Sequence, residues 1–600
     1  MAKRDNPPER HRRRLRMRWG RLIGFLVFVG VVIPVLGLAW SGFRLKQEAS
    51  ALKTDYHAHD YAALASSIQR LGGTLGMMRT EAVLLSWLNI VPGVRGYYQN
   101  GMDLLTAGHL DLHAFGQVLP PVLTAAESPG TAAQRKARVS QAVSQAGLLM
   151  QQLTPQIRAA NASVQHMNPA AWPGLLSNKG LSVTALQSLS DTLVRMLPTM
   201  SGPHPILATI LGLPNPTRYL LIFQNSGELR ATGGFMTAYA YVPFHNGKLG
   251  KITSQNIQNL DTAVTYHPPA PPIIGAYLPV KYWHLRDANT SPDVPQTVSN
   301  IYMLYRSIPN APKVNGVMFL DTWFVDSLIA DVGGLNVPTI KGKTIHLTAQ
   351  NANYEMEYMA EGMGLPSNLR KLFIGTMMKE LMHEVLHGHT SGLIKVAASL
   401  RQALDNKHVL LYFNNPAAER FFAQQGWGGV VPRHVNGNYI QVVDENLLGH
   451  KDNYYVRESY DVNVRTVGGR QLETVTIHWV DPAVVNWWLT VPYHSWIRVY
   501  VPINAQFISM TGVDSYVDDT ANTTLNKQEF GGHVDLPGRM NRSQPPSRGK
   551  VVVKFWLPSG VNVNRLYLQK QPGFLPEPVT VTVHGVTKHI TLNSNQWLTF

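Results

Sequence analysis

The side chains best suited to chemistry lie in one short string, NSGELRATGGF at 225–235, which directly follows an apolar run at 218–224. Arg230 carries a planar guanidinium that fits phosphate or carboxylate oxygens, and Glu228 could orient it or hold a cation. The remaining candidate ligand-binding groups of the string are Asn225, Thr232, Gly233 and Gly234. Glycines allow a backbone to approach a ligand closely. The residues fit an anion-binding loop and, equally, a turn closed by a Glu-Arg ion pair.

A second polar cluster, LRDANTSPDVP, occupies residues 285–295. The carboxylate of Asp287 suits Mg²⁺ and the guanidinium of Arg286 suits phosphate, so the pair could serve a metal-bound pyrophosphate. Asp293 directly precedes a helix predicted at 295–306, where a carboxylate caps the first turn and interacts with the helix dipole. Taken alone, this cluster is better explained by capping and turn formation.

A third candidate is HEVLH at 383–387, which places two imidazoles on one face of a helix predicted at 369–386. This spacing suits zinc, the intervening glutamate could activate a bound water, and Glu419 could supply a third ligand. The motif nevertheless lies on the polar face of that helix, as a solvated surface does. Thr390 also occupies the position of the glycine in the extended zinc-peptidase motif. A zinc metallopeptidase is therefore kept as an alternative only.

The amino terminus predicts a membrane anchor. Residues 1–21 contain nine basic residues, and the next 22 residues, 22–43, carry no charge. At about 1.5 Å per residue such a helix covers roughly 33 Å, enough for a hydrocarbon core of roughly 30 Å. The basic tail places residues 1–21 in the cytoplasm and the remainder outside. This orientation also explains the basic charge without nucleic acid, so the expected partner is the lipid bilayer.

Composition narrows the class of protein. Only 15% of the 600 residues are charged and 44% are apolar, which predicts mostly globular structure outside the anchor. There are no cysteines, which excludes disulfides, thiolate nucleophiles and iron–sulfur clusters.

Hydrophobic patterning predicts a multidomain α+β protein. Helical periodicity predicts a helical stalk at 44–213, including a helix at 133–153. A central α/β domain is predicted at 214–446 and a C-terminal β-sandwich at 447–600. The predicted strands are 218–224, 236–242, 317–320, 472–480, 496–502, 551–557 and 579–583, and the predicted central helices are 295–306, 322–332 and 369–386. Trp479, Trp487, Trp488 and Trp496 fit a core better than a sugar-binding platform.

Four strings resemble successive blocks of the domain-of-unknown-function 4012 family. They are NSGELRATGGF (225–235), RDANTSPD (286–293), VNGVMFLDTWFVDSLIADVGGLNVP (314–338) and ENLLGHKDNYYV (445–456). The resemblance extends over nearly the whole chain. It implies a bacterial envelope protein with one amino-terminal membrane span, and it implies no particular activity.

The order of the central blocks is also similar to that of the LytR-CpsA-Psr phosphotransferases, which transfer glycopolymers from a polyprenyl-pyrophosphate carrier to peptidoglycan. The successive motifs of that family resemble four strings of this sequence, which are RATGGF, LRD, VDSLIADVGGLNV and NLRKLF. The resemblance implies that Arg230, Arg286 and Asp287 are catalytic, that Asn225, Glu228, Thr232, Gly233, Gly234 and Arg370 contact substrate, and that Asp287 and Glu228 hold Mg²⁺. Thr232 stands where that family has an aspartate, which puts the metal site and the activity in question.

The expectation is a single-pass cell-membrane protein whose bulk is extracytoplasmic and which binds or transfers a polyprenyl-phosphate-linked glycopolymer, with that polymer or peptidoglycan as partner. The principal alternative is a non-catalytic envelope binding or assembly scaffold.

Overall fold

The computed structural model describes residues 31–58, 60–174, 182–339, 342–364, 372–387, 390–448, 450–514 and 517–600. Several predictions fall wholly or partly outside this range, among them the basic tail at 1–21, the first nine residues of the expected span at 22–43, Arg370, and the first three residues of the helix predicted at 369–386. Within the described part of the chain, no helix is both long enough and apolar enough to cross a bilayer. The chain divides into two units, Met1–Asn215 and Pro216–Phe600.

The first unit is built from helices. They are α1 (Ile33–His57), α2 (Tyr61–Val83), α3 (Arg95–Glu127), α4 (Ala132–His166), α5 (Val183–Met200) and α6 (Ile206–Ile210), with 3₁₀ turns at Ser86–Ile90 and Pro169–Ala171. Buried positions of α4 recur every three or four residues and form one stripe: Val139, Val143, Gly147, Met150, Leu153, Ile157, Ala160 and Val164. The stripe packs on α3 and α5. The predicted helix at 133–153 is confirmed as part of α4.

Thr131 begins α4 with a capping box. Its hydroxyl accepts a hydrogen bond from the backbone N–H of Gln134 (3.3 Å), and the Gln134 side chain accepts one in return from the Thr131 N–H (3.0 Å). Two of the N–H groups that a helix start leaves unpaired are thereby satisfied, so the sequence itself fixes where α4 begins.

A mixed sheet forms the first part of the second unit. Its strands are β1 (Thr217–Asn225), β2 (Phe235–His245), β3 (Lys248–Leu249), β4 (Ser254–Asn256), β5 (Gly316–Asp321) and β8 (Val409–Phe413), in the order β3-β2-β1-β5-β8 with β4 paired to β2. Only β1 and β5 are parallel among these neighbours. A separate hairpin consists of β6 (Leu335–Pro338) and β7 (Thr344–Leu347). The three strands predicted here are confirmed.

Helices pack around this sheet. They are α7 (Ile257–Asp261), α8 (Pro272–Tyr277), α9 (Val294–Tyr305), α10 (Thr322–Asp331), α11 (Ala352–Glu357), α12 (Leu372–His387), α13 (Thr390–Asp405) and α14 (Pro416–Gln424), with a 3₁₀ turn at Leu285–Asp287 and a π-helical turn at Tyr358–Gly362. Apolar residues of α9 share a core with β1 and β5. The predicted helices at 295–306, 322–332 and 369–386 correspond to α9, α10 and α12.

The remainder of the second unit is two six-stranded sheets that share one hydrophobic core. One has the order β13-β16-β11-β10-β18-β19 and the other β14-β15-β12-β9-β17-β20. The strands are β9 (Asn438–Glu445), β10 (Arg457–Val467), β11 (Arg470–Asp481), β12 (His494–Pro502), β13 (Gln506–Thr511), β14 (Val517–Asn522), β15 (Lys527–Asp535), β16 (Ser547–Trp556), β17 (Arg565–Leu568), β18 (Glu577–Val583), β19 (Val586–Leu592) and β20 (Gln596–Thr599), with a 3₁₀ turn at Asp452–Tyr454.

The strands predicted at 472–480, 496–502, 551–557 and 579–583 correspond to β11, β12, β16 and β18. The second sheet also contains β9, which the patterning had assigned to the central segment. Its partners β12 and β17 lie later in the chain, so local sequence does not reveal this pairing.

Candidate functional site

The polar string 225–235 forms the connection between β1 and β2 and is held by its own backbone. The N–H of Phe235 donates to the Glu228 carbonyl (2.8 Å), and that of Gly233 donates to the Arg230 carbonyl (3.0 Å). A Cβ on Gly234 would lie 2.2 Å from the carbonyl oxygen of Asn225. The close approach that glycine allows here is therefore an approach of the loop to its own strand.

Arg230 lies at the centre of a buried ion-pair network and is only 2% exposed. Its Nη2 donates to Glu228 Oε1 (2.9 Å), and its Nη1 is 3.6 Å from Asp287 Oδ1. The other oxygen of Glu228, Oε2, accepts a hydrogen bond from Lys451 Nζ (2.8 Å). We call Glu228, Arg230, Asp287 and Lys451 the charge network. Two cations and two acids thus lie in direct contact with one another.

The charges in this network support one another. Burial alone would raise the pKa of Glu228, but Lys451 and Arg230 outweigh burial and hold the pKa below its ordinary value. Burial would lower the pKa of Lys451, but Glu228, followed by Glu357, keeps it above its ordinary value. For Asp287 burial prevails, and its pKa is raised despite the attraction of Arg230. Glu228 is therefore an ionised carboxylate between two cations at neutral pH.

The other predicted members of the loop bind neighbouring protein groups. Asn225 donates to Glu357 Oε1 (2.6 Å) and accepts from the Tyr454 hydroxyl (2.9 Å). The Thr232 hydroxyl accepts from Gln224 Nε2 (2.7 Å) and from Asn289 Nδ2 (3.0 Å). The strings at 225–235, 286–293 and 445–456 therefore meet in three dimensions.

Arg286 is placed at the edge of the network, where 28% of its side chain is exposed. Its Nη1 is 2.5 Å from Asp261 Oδ2, and its Nε is 3.7 Å from Asp287 Oδ2. Asp293 has a separate role. It caps α9 by accepting from the N–H of Gln296 (3.2 Å) and receives two guanidinium hydrogen bonds from Arg433, each 2.9 Å. The capping prediction for Asp293 is confirmed.

The residues expected to hold Mg²⁺ do not fit that ion as arranged. Both oxygens of Glu228 accept hydrogen bonds from cations, and the two oxygens of Asp287 face Arg230 and Arg286. A metal would have to displace the guanidinium and ammonium groups, which carry the charge that makes burial of the acids tolerable. The network is organised as a set of internal ion pairs.

The HEVLH motif lies on α12, with the His383 side chain 63% and the Glu384 side chain 51% exposed. The side chain of His387 lies outside the described part. Glu419 is directed elsewhere: its Oε2 accepts a hydrogen bond from the N–H of Phe413 (2.8 Å) at the end of β8. The exposure of His383 and Glu384 agrees with the solvated helix face that patterning favoured.

A separate polar cavity has a volume of about 260 Å³, and no member of the charge network lines it. Its lining includes Thr290, Gln296, Asn300, Arg498 and Thr524. The Arg498 guanidinium is already compensated, because it lies 2.8 Å from Glu445 Oε1 and 3.4 Å from Glu529 Oε1 and donates to the carbonyl of Thr290 (2.7 Å). The cavity therefore presents neutral hydrogen-bonding groups and a neutralised cation.

The tryptophans considered for a sugar platform separate into two pairs. Trp479 and Trp496 are core residues, 1% and 2% exposed. Trp487 is 66% exposed, and Trp488 packs edge-on against Tyr354 and Tyr358, with ring centroids 5.8 and 5.9 Å apart. The two tyrosine rings are parallel and remain 48% and 40% exposed. We call Tyr354, Tyr358 and Trp488 the aromatic cluster.

Residue types alone did not identify Lys451, Asp261 and Glu357 as partners of the predicted residues. Lys451 lies 223 positions from Glu228, and Glu357 lies 132 positions from Asn225. The available signal was the string ENLLGHKDNYYV, whose polar segment contains Lys451 and Tyr454 between apolar stretches.

The sequence profile of a family of proteins of unknown function, DUF4012, matches residues 215–360, which include Asn225, Arg230 and Glu357. This match confirms the resemblance to that family over this segment. A search of curated proteins finds no match.

Several solved structures are similar to part of this chain. TagV of B. subtilis is 14% identical, with 36% of this chain and 81% of TagV covered and a TM-score of 0.22. Lin1025 from Listeria innocua is 13% identical, with 36% and 78% covered and a TM-score of 0.20. A fragment of Lmo1026 from Listeria monocytogenes, described as a putative transcriptional factor, is 14% identical, with 28% and 66% covered and a TM-score of 0.19.

Proposed function

We propose that this protein is a membrane-anchored, extracytoplasmic cell-envelope protein that binds envelope glycan and does not transfer it. The observation that carries the proposal is the aromatic cluster, because exposed aromatic faces bind the apolar C–H faces of sugar rings. The match to the DUF4012 profile supports an envelope role, since the resemblance to that family implies one.

The charge network argues for binding without phosphoryl transfer. Transfer from a polyprenyl pyrophosphate needs cations that can contact the phosphates and stabilise the developing charge. Arg230 is 2% exposed and already compensated by Glu228 and Asp287. To contact a pyrophosphate it would have to break buried ion pairs, which costs about 3–5 kcal/mol. The network is better suited to holding three distant segments together.

The aromatic cluster supplies a surface for a neutral ligand. Three aromatic side chains, Tyr354, Tyr358 and Trp488, lie together at the π-helical turn Tyr358–Gly362 and the loop that contains Trp488. Exposed apolar groups of this kind in a soluble part of a protein usually mark a contact surface. The hydroxyls of Tyr354 and Tyr358 can in addition hydrogen-bond sugar hydroxyls.

The anchor is proposed from the amino-terminal sequence and from α1. The described beginning of α1 exposes large apolar side chains, with Leu36 62%, Trp40 57% and Phe43 60% exposed. These residues belong to the uncharged segment 22–43, and the basic tail before it sets a cytoplasmic amino terminus. The proposed location is the cell membrane, with the bulk of the chain outside.

The test is a binding measurement on the full chain in detergent micelles, with a soluble peptidoglycan oligosaccharide of alternating N-acetylglucosamine and N-acetylmuramic acid. Tyr354→Ala, which removes the more exposed of the two tyrosine rings (48%), is expected to weaken binding about tenfold, which corresponds to ~1.4 kcal/mol for one aromatic contact. The matched control is Trp597→Ala, because Trp597 is also exposed (45%) but packs on Arg565 and Tyr567 of the C-terminal sheets.

Two results would overturn the proposal. Equal affinity of the wild type and Tyr354→Ala would remove the aromatic cluster as the binding surface. Release of polyprenyl phosphate from a lipid-linked glycan by the wild type with Mg²⁺, abolished in Arg286→Ala, would show a transferase in place of a binding protein.

A further inference from the structure

Two histidines and an aspartate meet at one end of the sheet that contains β12 and β15. His494 opens β12 and pairs in register with Asp535, the last residue of β15. His533 precedes Asp535 by two positions, and residues two apart on a strand project from the same face. Asp514, in the turn after β13, joins this group because its N–H donates to the His533 carbonyl (3.0 Å).

The donor atoms of these side chains converge. His533 Nδ1 is 3.4 Å from Asp535 Oδ1 and 3.5 Å from Asp514 Oδ2, and His494 Nδ1 is 2.5 Å from Asp535 Oδ1. One ligand atom from each of His494, His533 and Asp535 lies within 4.8 Å of the others. In a tetrahedral zinc site with bonds of about 2.0–2.1 Å, neighbouring ligand atoms are about 3.3–3.4 Å apart. The two distances from His533 already match this value.

We propose that His494, His533 and Asp535 bind Zn²⁺, with Asp514 as the fourth ligand. Two imidazoles and two carboxylates form a donor set that suits Zn²⁺ and is poor for Mg²⁺ and Ca²⁺, which prefer oxygen ligands alone. Zinc binding requires a separation of His494 from Asp535 by about 0.8 Å, so that the ion replaces their direct contact. It also requires the Asp514 carboxylate, which lies 3.5 Å from His533 Nδ1, to move toward the other two ligands.

The neighbouring residues hold two of these ligands in position. The Tyr277 ring stacks on the His533 imidazole with centroids 4.2 Å apart and an interplanar angle of 13°. The Tyr277 hydroxyl donates to Asp514 Oδ2 (3.5 Å). His533 is itself only 7% exposed, which restricts its ring to few orientations. Support of this kind is typical of metal ligands, whose orientation depends on neighbouring contacts.

The consequence of binding is structural. Zinc at this position would link the start of β12, the end of β15 and the turn after β13. His494 and His533 each lie about twenty residues from Asp514 in the chain, so one ion would join three segments that are distant in sequence. Structural zinc sites use four protein ligands, as this group offers.

The experiment uses the full chain, stripped of metal with a chelator, titrated with Zn²⁺ and desalted before metal analysis. The wild type is expected to retain one zinc per chain, and His533→Ala and Asp535→Asn to bind at least tenfold more weakly. With Co²⁺ in place of zinc, the wild type should show the visible absorption of a tetrahedral site and the variants should lose it. Zinc should raise the melting temperature of the wild type but not that of Asp535→Asn, which removes an exposed ligand.

Two control variants separate this site from other histidines. His478→Ala removes a cross-strand histidine that forms a hydrogen bond with Asp461 (3.2 Å) and belongs to no group of metal-ligating side chains among the residues that the structure describes. His383→Ala removes the first histidine of HEVLH. Both should retain one zinc per chain. Sub-stoichiometric zinc in the wild type, retention of zinc by both His533→Ala and Asp535→Asn, or its loss in His383→Ala alone would each overturn the proposal.

Discussion

Substitution of Glu228 by glutamine tests whether the charge network is a structural element. The change preserves the shape of the side chain but removes the negative charge that faces Arg230 at 2.9 Å and Lys451 at 2.8 Å. In this variant Arg230 would still have a negatively charged partner, Asp287, at 3.6 Å. Lys451 would lose the negatively charged group to which it donates a hydrogen bond. Breaking a buried ion pair costs about 3–5 kcal/mol. We expect a loss of this size in the free energy of unfolding of the second unit.

The assay is guanidinium unfolding, with hydrogen exchange of the β1 amides to assign the loss to the second unit. Glu380→Gln is the matched control, because Glu380 pairs with the exposed Lys379 at 4.0 Å and such pairs contribute about 0–1 kcal/mol. The effect should depend on pH. Since the folded pKa of Glu228 is depressed, its contribution is complete above the ordinary pKa and is lost as the pH falls through the folded value.

A loss in Glu228→Gln no greater than that in Glu380→Gln would refute this reasoning. It would mean that the cations do not depend on Glu228 and are available to an external anion. Stabilisation of the wild type by inorganic pyrophosphate would lead to the same conclusion, because a closed network gives the anion no access.

Two further predictions concern buried positions of the second unit. Glu473 is fully buried and accepts a hydrogen bond from Asn438 (2.8 Å), and burial raises its pKa to about 8. The free energy of unfolding should therefore fall by up to roughly 4 kcal/mol as the pH rises from 5 to 8, because the buried carboxyl group must then ionise. In urea unfolding, Glu473→Gln should remove this pH dependence. Gly234→Ala should lower the melting temperature strongly, because the new Cβ would lie 2.2 Å from the Asn225 carbonyl oxygen; an unchanged melting temperature would show that the loop adjusts freely.

Local sequence patterns are sufficient to predict most helices and strands, but not which of these elements contact one another. The run at 218–224 is apolar on both faces, as a central strand must be, and it became β1 within one residue at each end. Asp293 was identified as a cap because a carboxylate before a helix start satisfies backbone N–H groups nearby. Both inferences depend on neighbours within a few residues.

The candidate site depended on long-range contacts, which local patterns do not encode. The polarity of 225–235 suggested exposure to a ligand because the compensating residues, Lys451 and Asp287, lie far away in sequence. Likewise, His494 and His533 lie 39 positions apart, and only the antiparallel pairing of β12 with β15 brings them together. No spacing rule for metal ligands would have selected them.

The ion pair between Lys451 and Glu228 of the β1–β2 connection limits where the chain can be cut into separately folding parts. A shortened protein ending at residue 446 would keep Glu228 and Arg230 but lose the ammonium group and also Gln571, which donates to the Arg230 carbonyl (3.1 Å). The central sheet would then expose an incomplete set of charges where it now contacts protein. Residues 216–600 should consequently be expressed, inherited and exchanged between proteins as one piece.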